Sequence, residues 1–273
     1  MSWLDEEVAR IHKRQRKRKN RPIFIIFLVF FVIACVLSAV VIFTYTEDTR
    51  TVVVRVEGTL VTGLNSGSGF VGSEYVGRQL RDAADNPLVE AIVIRVNSPG
   101  GTPSAAQEII RDIEYARQRK PVVVSMGDIA ASAAYHVCSH ADLIYANPDT
   151  LTGSIGSIWI FYDVSKNLED EGISVDIVKS GDKKDMTSAF RPLSDEERSY
   201  AQELVNDSYE LFIADIIEQR GVDRDLIEDA RLFRGEEAME LGLIDRMGNL
   251  FDAIDGAKKL AASPTAITAD LPS

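Results

Sequence analysis

The stretch 23–43, IFIIFLVFFVIACVLSAVVIF, runs for 21 residues without a charge or a proline. As a helix rising 1.5 Å per residue it would span about 30 Å, the thickness of a bilayer core. A helix apolar all round needs apolar surroundings all round, which lipid supplies and a small soluble core does not. Immediately before it lies HKRQRKRKNR (12–21), and basic residues packed against one end of an apolar span mark the cytoplasmic side. The run exceeds the roughly 7–15 residues of a signal-peptide core, and no clean A-x-A cleavage site follows. The expected layout is a cytoplasmic tail (1–22), an uncleaved signal anchor (23–45), an extracytoplasmic domain (46–262) and a disordered tail (263–273). The expected location is a cell membrane, crossed once.

The first fifty residues carry a net charge of +4 in a chain of −12, so the remainder stands at −16. A domain that acidic does not hold nucleic acid or an anionic lipid surface through bulk charge. With three histidines in the chain, one of them in the tail, few metal ligands are on offer, and neither a metal nor a cofactor is expected. Cys35 lies in the apolar run and Cys138 in the domain, so on geometry no intrachain disulfide is expected.

From residue 51 strand and helix patterns alternate, which argues α/β layers in one domain. TVVVRVEG (51–58) is β-branched, and VEAIVIRVNS (89–98) is near-continuously apolar, as strands covered on both faces are. A short helix is expected over 73–85, ended by DNP. Thr102 and Pro103 open another as N-cap and first position, running to about Arg119. PVVVSM, a helix from about 130, and DLIYAN follow, with a further strand at ISVDIVKSG (173–181). Ser194 and Glu197 fit a capping box at the head of a helix reaching about Gln219.

Five motifs compete for chemistry. GSGFVG (67–72) matches G-x-G-x-x-G, but it lies several residues past its strand and reads as a surface loop rather than a dinucleotide fingerprint. NSPGG (97–101) ends the most apolar strand and precedes a helix, so its N–H groups are placed to face a developing oxyanion. LTGSIGSI (151–158) reads as a loop. VKSGDKKDM (178–186) offers Lys179, Lys183 and Lys184, any of which acts as a general base only when neutral. Between these, GDIAASAAY (127–135) places the hydroxyl of Ser132 among alanines after a strand. Helix packing explains it, as does a nucleophile. As a nucleophile it has three candidate partners: His136 one turn on, a His-Asp pair completed by a distant acid, or one of the lysines.

VNSPGG, MGDIAASAAY, TLTGSIGSI and VKSGDKKDM, in that order, together with the closing FRGEEAMELGLIDRMGNLFDAI, resemble the short single-domain form of signal peptide peptidase A over residues 51–262. The resemblance implies a ClpP/crotonase-type fold of repeated ββα units and peptide-bond hydrolysis by a Ser-Lys dyad. It assigns Ser132 as nucleophile, Lys184 as general base and Ser154 as the residue that orients the lysine. The N–H groups of Gly101 and Ala133 form the oxyanion hole. It also implies a homo-oligomeric ring in which serine and lysine come from neighbouring subunits, and apolar peptide substrates such as signal-peptide remnants. The family's ASGGY is ASAAY here, so Ala133 and Ala134 narrow the space beside the nucleophile. Rival readings are an acyl-CoA hydratase or isomerase of the crotonase type, a related membrane Ser-Lys protease acting on membrane-protein partners, and a non-catalytic scaffold.

Overall fold

Val and Ile dominate the segments that pair at the centre of the molecule, because side chains branched at Cβ suit a pleated, buried surface. The computed structural model describes residues 3–48, 51–64 and 66–262, and the chain divides into two units, Met1–Arg50 and Thr51–Ser273. The first unit contains one helix, α1 (Trp3–Asp48). Its side chains from 25 to 41 are exposed, Phe27, Phe30 and Phe31 among them. Among the described residues no helix is long and apolar enough to cross a membrane. The expected anchor, 23–45, extends at both ends beyond the residues whose side chains are described, and the expected tail, 263–273, lies outside the described residues.

The second unit begins with β1 (Thr51–Glu57), β2 (Thr59–Val61), β3 (Ser66–Gly67), β4 (Phe70–Gly72) and α2 (Ser73–Asp85). Next come β5 (Ala91–Ser98), α3 (Pro103–Arg117), β6 (Val122–Ala131), α4 (Ala133–Ser139), β7 (Leu143–Ala146) and β8 (Leu151–Gly153). The rest is mainly helical: α5 (Ser165–Asp170), α6 (Asp195–Arg220), β9 (Leu232–Arg234), α7 (Gly235–Glu240), β10 (Arg246–Met247) and α8 (Leu250–Ala262).

The main sheet runs β1-β5-β6-β7-β10, parallel throughout. Its strands alternate between two apolar faces, as a parallel sheet covered on both sides requires. Ile92, Ile94 and Val96 of β5 join Val76 and Leu80 of α2 and Ile109 and Ile113 of α3 in one core. Ala91 and Val93 point the other way, where Ala253, Ala257 and Leu260 of α8 close the second core. The α/β expectation holds. Helix ends follow their local signals: the Thr102 hydroxyl accepts from Ala105 N–H ahead of Pro103, and Ser194 and Glu197 form the reciprocal capping box of α6.

Three local expectations differ from what forms. The GSGFVG loop is part of a hairpin, in which Gly67 pairs with Phe70 across Ser68 (φ +52°) and Gly69 (φ +82°). Two positive φ values in a two-residue connection match the right-handed twist of the flanking strands, which is why so short a turn closes. At 173–181 no strand forms. Ile173 and Val178 are exposed, Val178 to 95%, because an apolar β-prone run becomes a strand only where a neighbour takes up its backbone groups, and the described residues place none there. LTGSIGSI, expected as a loop, supplies β8 with its first three residues.

Candidate active site

Strand β6 serves two neighbours in turn. Val122–Met126 pair with β5, and a shift of register after Val96 then lets Ile129–Ala131 pair with β8. The pairing Ala131↔Gly153 means that Ser132 and Ser154 each follow directly on a partnered residue, at the ends of adjacent strands. Ser132 N–H donates to Gly153 O at 2.8 Å, and Ser154 N–H donates to Arg231 O at 2.8 Å. The register thus brings together two of the residues singled out from sequence.

Both serines are backbone outliers. Ser132 has φ +55° and ψ −128°, and Ser154 has φ +50°. Such values cost a non-glycine residue about 1–3 kcal/mol and persist where the surroundings enforce them, most often at functional sites. Among the described residues only two other non-glycine positions share the sign, Ser68 and Ala230, so half of the outliers fall on the predicted site. Ser132 occupies a sharp strand-to-helix turn between β6 and α4. Its hydroxyl has no hydrogen-bond partner among the described residues and makes no cap to α4.

The glycines of NSPGG pack against that turn. Gly100 sits at φ +111°, and a Cβ there would lie 2.9 Å from Ser132 Cβ and 2.9 Å from Ala131 O. Leu60 N–H donates to Gly100 O at 2.8 Å and Thr102 N–H to Leu60 O at 3.0 Å. This bridge bypasses Gly101 and leaves its N–H outside the ladder. Ala133 opens α4, so its N–H has no acceptor within the helix. Gly101, Ser132 and Ala133 line one cavity of about 710 Å³. Its apolar walls include Ile110, Trp159, Leu211 and Phe212.

A polar corner of the same cavity holds His136, His140, Asp215 and Glu114. Asp215 Oδ2 lies 2.5 Å from His136 Nε2 and 2.9 Å from His140 Nε2. Burial pushes the Asp215 carboxyl up, but the hydrogen bonds from His136 and then His140 outweigh it and hold the group below the usual carboxylate range. From the sequence no acid was placed to orient His136. Asp215 does so from α6, a helix whose register against α4 leaves no local trace in the sequence. Cys138, on the inner side of α4, is buried, and that burial pushes its thiol pKa up, which suits packing.

The lysine candidates separate by their partners. Lys179 Nζ lies 2.6 Å from Asp185 Oδ1, and Lys183 Nζ lies 2.6 Å from Glu196 Oε1. Lys184 is exposed and, among the described residues, makes no ion pair. It is not among the residues lining the Ser132 cavity. The segment that carries Lys184 is tied down by Arg191, which donates to Asp185 at 2.7 Å and to Glu197 at 2.6 and 2.8 Å.

Residues 114–263, more than half of the chain, match peptidase family S49. The chain belongs to that family. Protease 4 of Haemophilus influenzae is 34% identical over 221 residues, covering 79% of this chain and 35% of that protein. A putative protease of Methanocaldococcus jannaschii is 34% identical over 208 residues, covering 72% and 66%. A putative signal peptide peptidase SppA of Enterococcus faecium is 33% identical over 185 residues, covering 66% and 54%. These relatives bear out the resemblance carried by the four motifs. This S49 chain spans less than two thirds of the length of each of them.

Proposed function

We propose that the chain is a serine endopeptidase of the ClpP/crotonase type, working by a Ser-Lys dyad. The observation that carries this is the strained Ser132, its hydroxyl unpartnered, beside the glycine turn and on the wall of a largely apolar cavity. Oγ attacks the scissile carbonyl while Lys184, as general base, takes its proton, and the oxyanion is held by the N–H groups of Gly101 and Ala133; the intermediate collapses with cleavage of the C–N bond as the lysine passes that proton to the departing amine. Water then cleaves the acyl-enzyme with the same lysine as base. Ser154, fixed beside Ser132 by the β6–β8 register, orients the amine. Because Lys184 does not line the cavity of its own chain, it serves the Ser132 of a neighbouring copy in a homo-oligomeric ring. The apolar walls suit apolar peptides, such as signal-peptide remnants.

Membrane anchoring belongs to the same reading. Bulky side chains such as Phe27, Phe30 and Phe31 are exposed along α1, and a patch of that size is unfavourable in water and favourable in lipid. The basic segment before it puts the N-terminus in the cytoplasm and the peptidase domain outside. Retention of the full chain in the membrane fraction after alkaline washing supports the anchor; release into the supernatant rejects it.

The decisive experiment is complementation. Ser132→Ala and Lys184→Ala are each inactive on a reporter peptide, and mixing the two under conditions that exchange subunits restores part of the activity. Full turnover by Lys184→Ala alone would discard the dyad. A second reading is favoured by the His136–Asp215 contact, a Ser-His-Asp arrangement. It predicts that His136→Ala is inactive while Lys184→Ala is not.

A further inference from the structure

The corner formed by His136, His140 and Asp215 is not used by the Ser-Lys reading. His136 lies in α4 and His140, four residues on, is its C-cap, so their rings leave the same side of that last turn. Asp215 reaches them from α6. One donor atom from each of the three falls within 4.8 Å of the others. We propose that these three side chains form a binding site for a divalent transition metal of the zinc type, held by the two Nε2 atoms and the Asp215 carboxylate on the wall of the Ser132 cavity.

The argument turns on what each ring nitrogen faces. Both Nε2 atoms point at the same oxygen, Asp215 Oδ2. With both Nε2 atoms turned to Asp215, His140 Nδ1 is left to find a partner elsewhere. That Nδ1 is buried and has no hydrogen-bond partner among the described residues, and His140 as a whole is 3% exposed. An orphaned buried polar atom is an unfavourable state. A metal on Nε2 puts the ring proton on Nδ1, which faces Glu114 Oε1 at 3.6 Å. A carboxylate behind a ligating histidine is the usual outer support of a metal site. A metal on Nε2 therefore uses the lone pair there and leaves Nδ1 facing a carboxylate that a small side-chain movement brings within hydrogen-bond reach.

The donor chemistry points the same way. Two imidazoles and one carboxylate suit zinc and its neighbours in the first transition row, whereas calcium and magnesium favour oxygen alone. Ligand bonds near 2.0–2.2 Å place neighbouring tetrahedral ligands about 3.3 Å apart, so the contacts at 2.5 and 2.9 Å open slightly while the widest separation in the cluster, within 4.8 Å, closes by side-chain rotation. The rings are held for this. Phe212 packs on His136 with centroids 4.6 Å apart, and His140 is enclosed. The Asp215 side chain remains 29% exposed, which gives the ion a way in. Three protein ligands leave a fourth position open, and the cavity that Ser132 shares lies alongside.

The test reads binding rather than peptidase activity, so it stands or falls independently of the Ser-Lys reading. The full chain, in mild detergent and without an affinity tag, is dialysed against Zn²⁺ and titrated with Co²⁺, whose visible absorption reports its coordination. One saturable ion per chain is expected, with a rise in Tm and an absorption of four- or five-coordinate Co²⁺. Asp215→Asn, which keeps the size of the side chain, and His140→Ala abolish that absorption. Glu114→Gln weakens binding by about tenfold, as loss of an outer-shell partner does, and His12→Ala, in the N-terminal segment, leaves it unchanged. Circular dichroism confirms that each variant is folded. Where a ligand variant does not fold, the wild-type stoichiometry and Co²⁺ spectrum decide. No saturable binding by the wild type, an octahedral water-like Co²⁺ spectrum, or undiminished binding by a folded His136→Ala/His140→Ala variant would overturn the proposal.

Discussion

Replacing Gly100 by alanine puts a methyl group where the turn of Ser132 already lies. The residue holds φ +111°, and the added Cβ would come within 2.9 Å of both Ala131 O and Ser132 Cβ and within 3.2 Å of Ala133 N. An L-residue forced into that dihedral costs about 1–3 kcal/mol. Alanine's smaller freedom in the unfolded chain offsets about 0.4–1 kcal/mol of this. The net loss is then about 1–2 kcal/mol, a fall in Tm of roughly 2–8 °C for a domain of this size. Relief of the contact has to push on Ser132 or on the Ala133 amide, and displacing one oxyanion donor costs about 10²–10³ in kcat. Gly63→Ala is the control, because Gly63 also has positive φ (+104°) but nothing within 4 Å of the new methyl. It should lose stability by dihedral strain alone and keep its kcat. The assays are thermal unfolding and steady-state hydrolysis of a reporter peptide. If Gly100→Ala matched Gly63→Ala in both, the close approach of the glycine turn to the nucleophile would have no catalytic meaning and the oxyanion assignment would fail.

Other perturbations test the frame around the site. Arg220→Ala strands Asp245, which it pairs at 2.7 Å with both side chains largely buried and which also accepts from Ile144 N–H; a loss of about 3–5 kcal/mol is expected, and urea unfolding with an unchanged midpoint would contradict it. Ser132→Gly removes the hydroxyl and relieves φ +55°, so it should abolish turnover while leaving the chain at least as stable as the wild type in the same unfolding assay; marked destabilisation would mean that the turn is not strained. Hydrogen bonds from Arg191 and from Ser194 N–H hold the Glu197 carboxyl down at about 2, and Asp185 is likewise held low, by Arg191 and then Lys179. Carboxyls depressed in the folded state stabilise it fully above their ordinary values and cease to do so as pH falls through the folded ones. The segment bearing Lys184 should therefore loosen between about pH 4.5 and 2, read as proteolytic nicking at 178–191 by an acid-active protease, and Glu197→Gln should flatten that dependence.

The parts of the fold legible in the sequence were those governed by local rules. The span of α2, the Thr102-Pro103 start of α3 and the capping box of α6 each depend on residues within one turn of one another. The run 173–181 has the composition of a strand and forms none, since strand formation depends on a neighbour that composition does not describe. The site divides along the same line. GDIAASAAY and LTGSIGSI were recognisable separately, but only the Ala131↔Gly153 register shows that their serines are adjacent. Asp215 was missed because its relation to His136 is set by the packing of α6 on α4.

The strand that steadies Ser154 comes late in the chain. β8 is three residues long, its outer edge is covered by β9, and Ser154 N–H is held by Arg231 O. Ser132 and Ser154 are thus both translated well before the segment that braces Ser154. A nascent or truncated chain ending short of residue 231 contains Ser132, Ser154 and Lys184 but lacks the brace on the second serine. Bracing of Ser154 therefore waits until most of the polypeptide has been made, a consequence of strand order.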